Sequence, residues 1–204
     1  METGLQQLLR ELEQFGEGND ATISDRPRRM LNITRSTGEL LGVLVRSAKA
    51  RQVLEIGTSN GYSTLWLAEA CSATGGQVHT VEFSEFKCQL ARSNFERSGL
   101  GQQIILLQED AGHVLAETED DAYDLIFLDS ERSEYLGWWP ELRRILRPGG
   151  LLVVDNAVSH EAEMVGFMAQ VKADPAFFCC VVPVGNGEFM ATRAVREDAP
   201  VAPE

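Results

Sequence analysis

VLEIGTSNGYSTLWLA, residues 53–68, contains a short apolar run, a loop with two glycines and the start of a helical pattern. This order is typical of the first strand, loop and helix of an α/β fold. Gly57 and Gly61 are four residues apart, so the loop lacks the G-x-G-x-x-G spacing of nicotinamide-dependent enzymes, which disfavours that class. The loop can still bring bare backbone close to a ligand at the N-terminus of the helix.

Further apolar runs follow at intervals along the chain, and helical patterns separate them. The runs are β-branched or leucine-rich and are bounded by polar or glycine-containing turns, as expected of strands buried on both faces. They lie at 53–56, 78–81, 104–107, 125–128 and 151–154. The helical patterns cover 62–71, 85–98, 111–117, 135–146 and 161–172. This alternation predicts a doubly wound, mostly parallel α/β sheet with helices on both faces.

The last part of the chain departs from this alternation. Two strand-like runs, 177–184 and 188–193, flank Gly185-Asn186-Gly187 with no helical pattern between them. An Asn-Gly turn between two such runs is typical of a β-hairpin. We therefore expect one of the last two strands to be antiparallel to the others.

The first part of the chain is helical rather than β-rich. Leucine spacing predicts an amphipathic helix over 4–15, a loop over 16–25 and a second helix over 35–48. The first helix has an apolar face that the core of a small domain need not cover. A homodimer formed through residues 4–15 is therefore expected.

Composition disfavours some classes of binding partner and some locations of the protein. The 204 residues include 31 acidic and 18 basic side chains, a formal charge of −13, which disfavours nucleic acid and anionic membranes as partners. No apolar run approaches the roughly 18 residues that a membrane span needs, and the N-terminus does not resemble a signal peptide. The four cysteines form no C-x-x-C pair, which favours a reduced, cytoplasmic protein.

Acidic residues follow the second and third predicted strands. Ligands of a doubly wound sheet bind at the carboxyl ends of the strands, where these residues lie. Glu82 follows the second strand and is placed to accept hydrogen bonds from a ribose diol. The sequence Glu109-Asp110-Ala111 follows the third strand and can contact an adenine edge. Together with the glycine loop, the set predicts a nucleoside-containing ligand.

Oxygen-bearing side chains follow the fourth and fifth strands. Asp129 ends the fourth run, and Asp155 and Asn156 end the fifth. Adjacent parallel strands bring these ends side by side. Three hard oxygen ligands suit Mg²⁺ or another oxygen-preferring divalent cation, whereas a zinc site would draw on His or Cys. The pattern predicts a divalent cation site at this edge of the sheet.

Three segments carry a resemblance to a known family: 53–68, LIFLDSERSEY at 125–135 and GGLLVVDNAVS at 149–159. The chain resembles the class I S-adenosylmethionine (SAM)-dependent methyltransferases, and among them the cation-dependent O-methyltransferases of catechols and caffeoyl-CoA. The resemblance implies a seven-stranded sheet with the last strand antiparallel. It also implies an N-terminal helical arm and loop over 1–34, a methyltransferase domain over 35–194 and a disordered tail over 195–204.

The resemblance also implies the residues of the site. The cation ligands would be Asp129, Asp155 and Asn156, which would hold Mg²⁺, Mn²⁺ or Ca²⁺. The implied acceptor is a small aromatic molecule with two neighbouring hydroxyl groups. The cofactor SAM would contact Glu55, Gly57, Ser59, Gly61, Ser63, Glu82, Asp110, Ala111 and Asp129.

Arg132 departs from the family pattern, which has a basic lysine three residues after the first metal aspartate. Arginine cannot take up a proton at neutral pH. We expect Arg132 and Asp129 to be the catalytic residues, with Arg132 stabilising the acceptor oxyanion by its charge. The alternative is that Arg132 only pairs with a neighbouring acid.

Other residues have two interpretations each. His160 either begins a helix at the rim of the site, which is favoured, or acts as a base. Trp138 and Trp139 either pack under the sheet, which is favoured, or line an aromatic acceptor pocket. The arginines of segment 26–33 could meet an anionic acceptor. Rival functions on the same fold are methylation of an RNA hydroxyl and a catalytically inactive binding module.

Overall fold

Strands and helices alternate from residue 52 onward in the computed structural model, which describes residues 3–195. The helices are α1 (Thr3–Thr22), α2 (Arg35–Ser47), α3 (Tyr62–Thr74), α4 (Glu85–Ser98), α5 (Ala111–Glu117), α6 (Tyr135–Ile145) and α7 (Glu161–Ala173). The strands are β1 (Gln52–Ile56), β2 (Gln77–Glu82), β3 (Ile104–Gln108), β4 (Tyr123–Leu128), β5 (Leu146–Val154), β6 (Phe177–Val182) and β7 (Glu188–Arg193).

The seven strands form one sheet in the order β3-β2-β1-β4-β5-β7-β6. Strands β1 to β5 are parallel to one another, while β7 is antiparallel to both β5 and β6. The predicted doubly wound sheet with an antiparallel last strand is confirmed. The strand order reverses direction between β1 and β4, so a crevice opens there at the carboxyl ends of the strands.

Two hydrophobic clusters cover the two faces of the sheet. Alternate residues of β1 point to opposite faces, so that Val53 belongs to one cluster and Leu54 to the other. The first cluster packs against α1 to α4, and the second packs against α5 to α7. Burial on both faces is the physical reason why these strands read as continuous apolar runs.

Helix α1 is longer than predicted, and the predicted loop over 16–25 is wrong for its first seven residues. The helix continues to Thr22 because its last turns contact the segment that leads to α2. Asp20 Oδ1 accepts a hydrogen bond from Met30 N at 2.7 Å, and Asn32 Nδ2 donates to the Leu12 carbonyl at 3.0 Å. These tertiary contacts offset the low helix propensity of the glycines at 16 and 18.

The apolar face of α1 lies inside the chain's own core. Leu5, Leu8, Leu9 and Leu12 are buried in the cluster that also contains residues of α3 and α4. The apolar face that motivated the expected homodimer is therefore covered within one chain. The homodimer stays a prediction and no longer has this support.

The two glycines of α1 offer a matched test of this contact. A Cβ at Gly16 would lie 2.5 Å from Asn32 Nδ2, whereas a Cβ at Gly18 would meet nothing within 4 Å. Gly18→Ala should raise the free energy of unfolding by about 1 kcal/mol, because alanine is the better helix former. Gly16→Ala should lower it, because Asn32 must move. Urea denaturation of both variants measures the difference, and equal stabilisation by both would contradict the packing described here.

Other sequence expectations have the following outcomes. Within residues 3–195, no helix is long and apolar enough to cross a membrane. All four cysteines are free. The predicted disordered tail over 195–204 lies outside the described residues except for Val195.

Candidate active site

A cavity of about 430 Å³ lies at the carboxyl ends of β1 to β4. It occupies the switch point between β1 and β4, where ligands of doubly wound sheets bind. Its volume is within the range of small-molecule sites. Eight predicted site residues line it: Gly57, Ser59, Ser63, Glu82, Asp110, Ala111, Asp129 and Arg132.

The glycine loop forms the floor of this cavity. Gly57 has φ +107°, a conformation that favours glycine, and a Cβ there would lie 2.0 Å from the Asp129 carbonyl oxygen. The loop is tied to β2 because Gly57 N donates to the Val81 carbonyl at 3.0 Å. The side chain of Ser59 donates to the Met30 carbonyl at 2.7 Å, which links the loop to the segment after α1.

Glu82 is held at the end of β2 by two backbone N–H groups. Its Oε2 accepts from Ser59 N at 2.9 Å, and its Oε1 accepts from Ser84 N at 2.8 Å. The carboxylate is therefore fixed on the cavity wall with lone pairs remaining for a ligand. This geometry suits the predicted hydrogen bonding to a ribose diol.

Glu55 is fully buried behind the cavity wall and does not line the cavity. It accepts hydrogen bonds from Ser63, Thr64 and Thr80, the first and third at 2.5 Å. Burial raises the pKa of Glu55 from 4.5 to about 7, although these hydroxyl groups oppose the shift. Gly61, the residue before α3, also lies outside the lining residues. These two predicted cofactor residues therefore support the wall.

The raised pKa of Glu55 makes a stability prediction. Its stabilising contribution is fully present below the unfolded pKa of about 4.5 and is lost as the pH rises through about 7. Glu55→Gln cannot ionise. Between about pH 5 and about pH 8, the variant should gain on the order of 1–3 kcal/mol of unfolding free energy relative to the wild type. Urea denaturation of the unliganded protein at both pH values measures this, and a difference independent of pH would contradict it.

The far end of the cavity is lined by the start of α5 and by one of the two tryptophans. Asp110 caps α5 by accepting from His113 N at 3.0 Å, and Ala111 follows it on the cavity wall. Trp138 lines the cavity, while Trp139 is buried in the core beside Phe177. Trp138 is partly buried and also packs against that core, so the favoured interpretation that both tryptophans pack under the sheet describes Trp139 fully and Trp138 in part.

Asp129, Asp155 and Asn156 meet at the carboxyl ends of β4 and β5. Asn156 Nδ2 donates to Asp129 Oδ1 at 3.2 Å and to Asp155 Oδ2 at 2.9 Å. Asp129 stands on the cavity wall, whereas Asp155 and Asn156 lie outside the lining residues. One carboxylate is thus shared by the cavity and this polar cluster.

A third acid, Glu188, lies beside this cluster. Burial, followed by the charge of Asp155, raises the pKa of Asp129 well above its usual value. Burial also raises the pKa of Asp155, and burial together with the Asp155 charge raises the pKa of Glu188 to about 9. Within residues 3–195, no three Asp, Glu, His or Cys side chains are grouped so as to hold a metal ion. A candidate cation site therefore consists of two carboxylates and one amide.

The donor set of this site fits a divalent cation. Asp129 Oδ1 and Asp155 Oδ2 both approach the Asn156 side-chain amide, so each carboxylate presents one oxygen to the same point. Beside a cation, the amide oxygen of Asn156 would replace its Nδ2 as the inward-facing atom. Two carboxylates and an amide oxygen are hard ligands that Mg²⁺, Mn²⁺ and Ca²⁺ accept.

Arg132 is buried, with its side chain 6% exposed, and it lies on the cavity wall. Its Nε donates to Glu163 Oε2 on α7 at 2.8 Å, so the alternative of pairing with an acid is present. Its Nη2 is also buried and has no partner among residues 3–195. The charge of Arg132 opposes the upward pKa shift of Asp129. Both interpretations of Arg132 therefore remain compatible with its position.

Some further residues at or near the cavity had two interpretations in the sequence, and others were not predicted at all. His160 immediately precedes α7, as favoured, and its Nδ1 is 2.9 Å from Ser159 Oγ. Arg26 of segment 26–33 lines the cavity together with Met30. Lys87 and Phe83 line it too, but no motif or spacing in the sequence marks them as site residues.

The chain is similar to known O-methyltransferases. A catechol O-methyltransferase of Niastella koreensis is 30% identical over 131 residues, covering 63% of this chain and 59% of that protein. One of Mycobacterium tuberculosis is 31% identical over 126 residues, covering 62% of this chain and 57% of that protein. These matches span less than two thirds of either relative.

A solved structure and a family model extend the comparison to nearly the whole chain. The O-methyltransferase from Bacillus cereus, in complex with SAH, superposes with a TM-score of 0.76 and is 28% identical, covering 92% of this chain and 90% of that one. The sequence model of the family described as O-methyltransferase matches residues 5–194. Since this match includes every element that builds the cavity, the chain belongs to the O-methyltransferase family.

Proposed function

We propose that this protein transfers the methyl group of SAM to a hydroxyl oxygen of a small aromatic vicinal diol, with the help of a divalent cation. The observation that carries the proposal is the position of Asp129. Asp129 is one of the residues that line the cavity, and its side chain is hydrogen-bonded within the cluster of Asp155 and Asn156. The methyl donor and the acceptor oxygen must be neighbours, and Asp129 joins their two candidate sites.

The cavity suits SAM in its chemistry. Glu82 would accept hydrogen bonds from the ribose hydroxyls, and the loop at Gly57 leaves room for the methionine part against bare backbone. Asp110 and Ala111 would contact the adenine, with the ring of Trp138 nearby on the same wall. The Bacillus cereus relative, whose structure holds SAH, supports this assignment.

The cluster of Asp129, Asp155 and Asn156 suits the binding site of the methyl acceptor. Asp129, Asp155 and Asn156 would hold the cation, which when bound favours ionisation of a phenol and can fix two neighbouring oxygens. In the transfer, the acceptor oxygen bonds to the methyl carbon, the carbon–sulfur bond breaks, and sulfur leaves as a neutral thioether. The acceptor proton passes to solvent. The protein contributes mainly position and electrostatics.

Arg132 would supply fixed positive charge beside the acceptor oxygen. A guanidinium group donates hydrogen bonds and has no acceptor, so an arginine does not serve as a base. Arg132→Met should therefore lower kcat by roughly 10- to 100-fold, because one charge contact to the developing oxyanion is lost. The SAM dissociation constant should stay within about 2-fold of the wild type. A normal kcat for Arg132→Met, measured in steady state, would leave Arg132 with only its ion pair to Glu163.

Methyl transfer to a panel of catechols tests the proposed function. Caffeate and dihydroxybenzoates are incubated with SAM, with Mg²⁺ or with EDTA, and product formation is followed by mass. We expect methylation with Mg²⁺ and its loss with EDTA. Methylation that EDTA does not reduce would overturn the role of the cation. SAM binding without turnover of any catechol would overturn the acceptor class and favour the alternative function, methylation of an RNA hydroxyl.

A further inference from the structure

Glu188 is a buried acid next to the cation cluster that has no role in the function proposed above. It is the first residue of β7 and is 0% exposed. The β5–β7 register pairs Val154 with Phe189, so Glu188 stands opposite Asp155, the residue that follows β5. Side chains at opposite positions of antiparallel strands lie on the same face of the sheet, with their Cβ atoms about 4.5–5.5 Å apart. A buried carboxyl group at this position needs a partner for each oxygen.

One oxygen of Glu188 has such a partner on α2. Its Oε1 accepts from Thr37 Oγ1 at 2.9 Å, and Thr37 is itself fully buried. The position of Thr37 is fixed by the start of the helix, since Thr34 Oγ1 accepts from Thr37 N at 3.1 Å. Gly185 packs so closely on both threonines that a Cβ there would lie 2.3 Å from Thr37 Oγ1.

The remaining oxygens determine how Glu188 meets Asp155. Asp155 Oδ2 is engaged by Asn156 Nδ2 at 2.9 Å, on the side that faces Asp129. Among the described residues, Asp155 Oδ1 and Glu188 Oε2 are both buried without a donor. Because the register places the two residues opposite each other, these are the two oxygens left for a contact between them, and a hydrogen-bond donor at position 188 would satisfy Asp155 Oδ1.

We propose that Glu188 is a positioning residue for the cation centre: anchored by Thr37, it holds the Oδ1 side of Asp155 so that the Oδ2 side faces Asn156 and Asp129. This inference rests on the proposed cation site. It assigns the hairpin and the start of α2 a part in cation binding, although neither supplies a ligand. Groups that orient ligands commonly change metal affinity by 10- to 100-fold.

Two substitutions at position 188 separate positioning from negative charge. Glu188→Gln keeps both contacts, because its amide N–H can donate to Asp155 and its amide oxygen can accept from Thr37. Glu188→Leu keeps the volume and removes both contacts. If Glu188 acts by positioning, the glutamine variant should behave like the wild type. If Glu188 acts through its charge, the two variants should fail alike.

Mn²⁺ binding to the full chain, in the absence of SAM and acceptor, is the test. Calorimetry gives the dissociation constant, and the electron paramagnetic resonance spectrum of bound Mn²⁺ reports the symmetry of its ligands. We expect Glu188→Gln to bind within about 3-fold of the wild type and Glu188→Leu to bind roughly 10- to 100-fold more weakly with an altered spectrum. Glu161→Gln, which removes an exposed acid from α7, is the charge-matched control and should bind normally.

Each outcome decides a different point. Wild-type affinity of Glu188→Leu, or equal weakening of both variants at position 188, overturns the positioning role while leaving the proposed function intact. A wild-type protein that binds no Mn²⁺ overturns the cation part of the proposed function and this inference with it. If Glu188→Leu does not fold, Thr37→Val decides, because it removes only the anchor. A weakening of several-fold supports the proposal, and unchanged Mn²⁺ affinity overturns it.

Discussion

Asp129→Asn should lower kcat/KM for a catechol acceptor by about 10³-fold, which corresponds to about 4 kcal/mol of transition-state stabilisation. The substitution keeps the volume of the side chain and removes the carboxylate that lies both on the cavity and in the cluster. An amide is a much weaker ligand for a divalent cation than a carboxylate. Steady-state kinetics at saturating Mg²⁺ measures the loss.

Stability should change in the opposite direction. Burial and the neighbouring Asp155 raise the pKa of Asp129, so its ionised form destabilises the folded state once the pH exceeds the unfolded value. Without added cation at about pH 8, Asp129→Asn should therefore melt at the same temperature as the wild type or higher. Asp120→Asn, at an exposed acid paired with Arg144, is the control and should retain full activity. Normal turnover by Asp129→Asn would contradict the proposed site.

Gly57→Ala should abolish tight SAM binding, destabilise the protein, or do both. The added Cβ would lie 2.0 Å from a backbone carbonyl oxygen, and no side-chain rotation can relieve that contact. The positive φ of Gly57 adds a backbone cost of about 1–2 kcal/mol for any L-residue. Together, we expect more than about 3 kcal/mol lost between folding and cofactor binding.

Gly99→Ala is the matched control for this prediction. Gly99 also has a positive φ, +72°, but a Cβ there would meet nothing within 4 Å. The control should lose only about 1 kcal/mol of unfolding free energy and should bind SAM normally. Calorimetric SAM titration and urea denaturation of both variants separate the steric cost from the backbone cost. Equal effects at the two glycines would contradict the close approach of Gly57 to Asp129.

The sheet could be predicted from the sequence because its strands are buried on both faces. A run such as 125–128 is apolar at every position, so neither the register nor the facing residues had to be known. The hairpin of the last two strands is confirmed as well. Its turn differs from the predicted Asn-Gly pair, because Gly187 N donates to the Val184 carbonyl and the turn therefore centres on Gly185 and Asn186.

The features that could not be predicted depend on contacts between distant segments. Helix α1 continues past Gly16 because Asn32 and Met30 form hydrogen bonds with it. No local sequence pattern predicts these contacts. Glu188 looked like an ordinary polar residue at the start of a strand. Its position opposite Asp155 follows from the register of β7 on β5, and this register cannot be read from the sequence. The roles assigned to the predicted site residues stay predictions, although the structure brings most of them to one cavity.

The double position of Asp129 has a thermodynamic consequence. A ligand that contacts Asp129 in the cavity and a cation held by the same carboxylate cannot bind independently, because each alters the charge that the other meets. At the proposed cation site, the coupling free energy between the two ligands would be a single quantity, so a bound cation would change the affinity for SAM by the same factor by which SAM changes the affinity for the cation. The concentration of free divalent cation around the protein would therefore set how much of it carries its methyl donor.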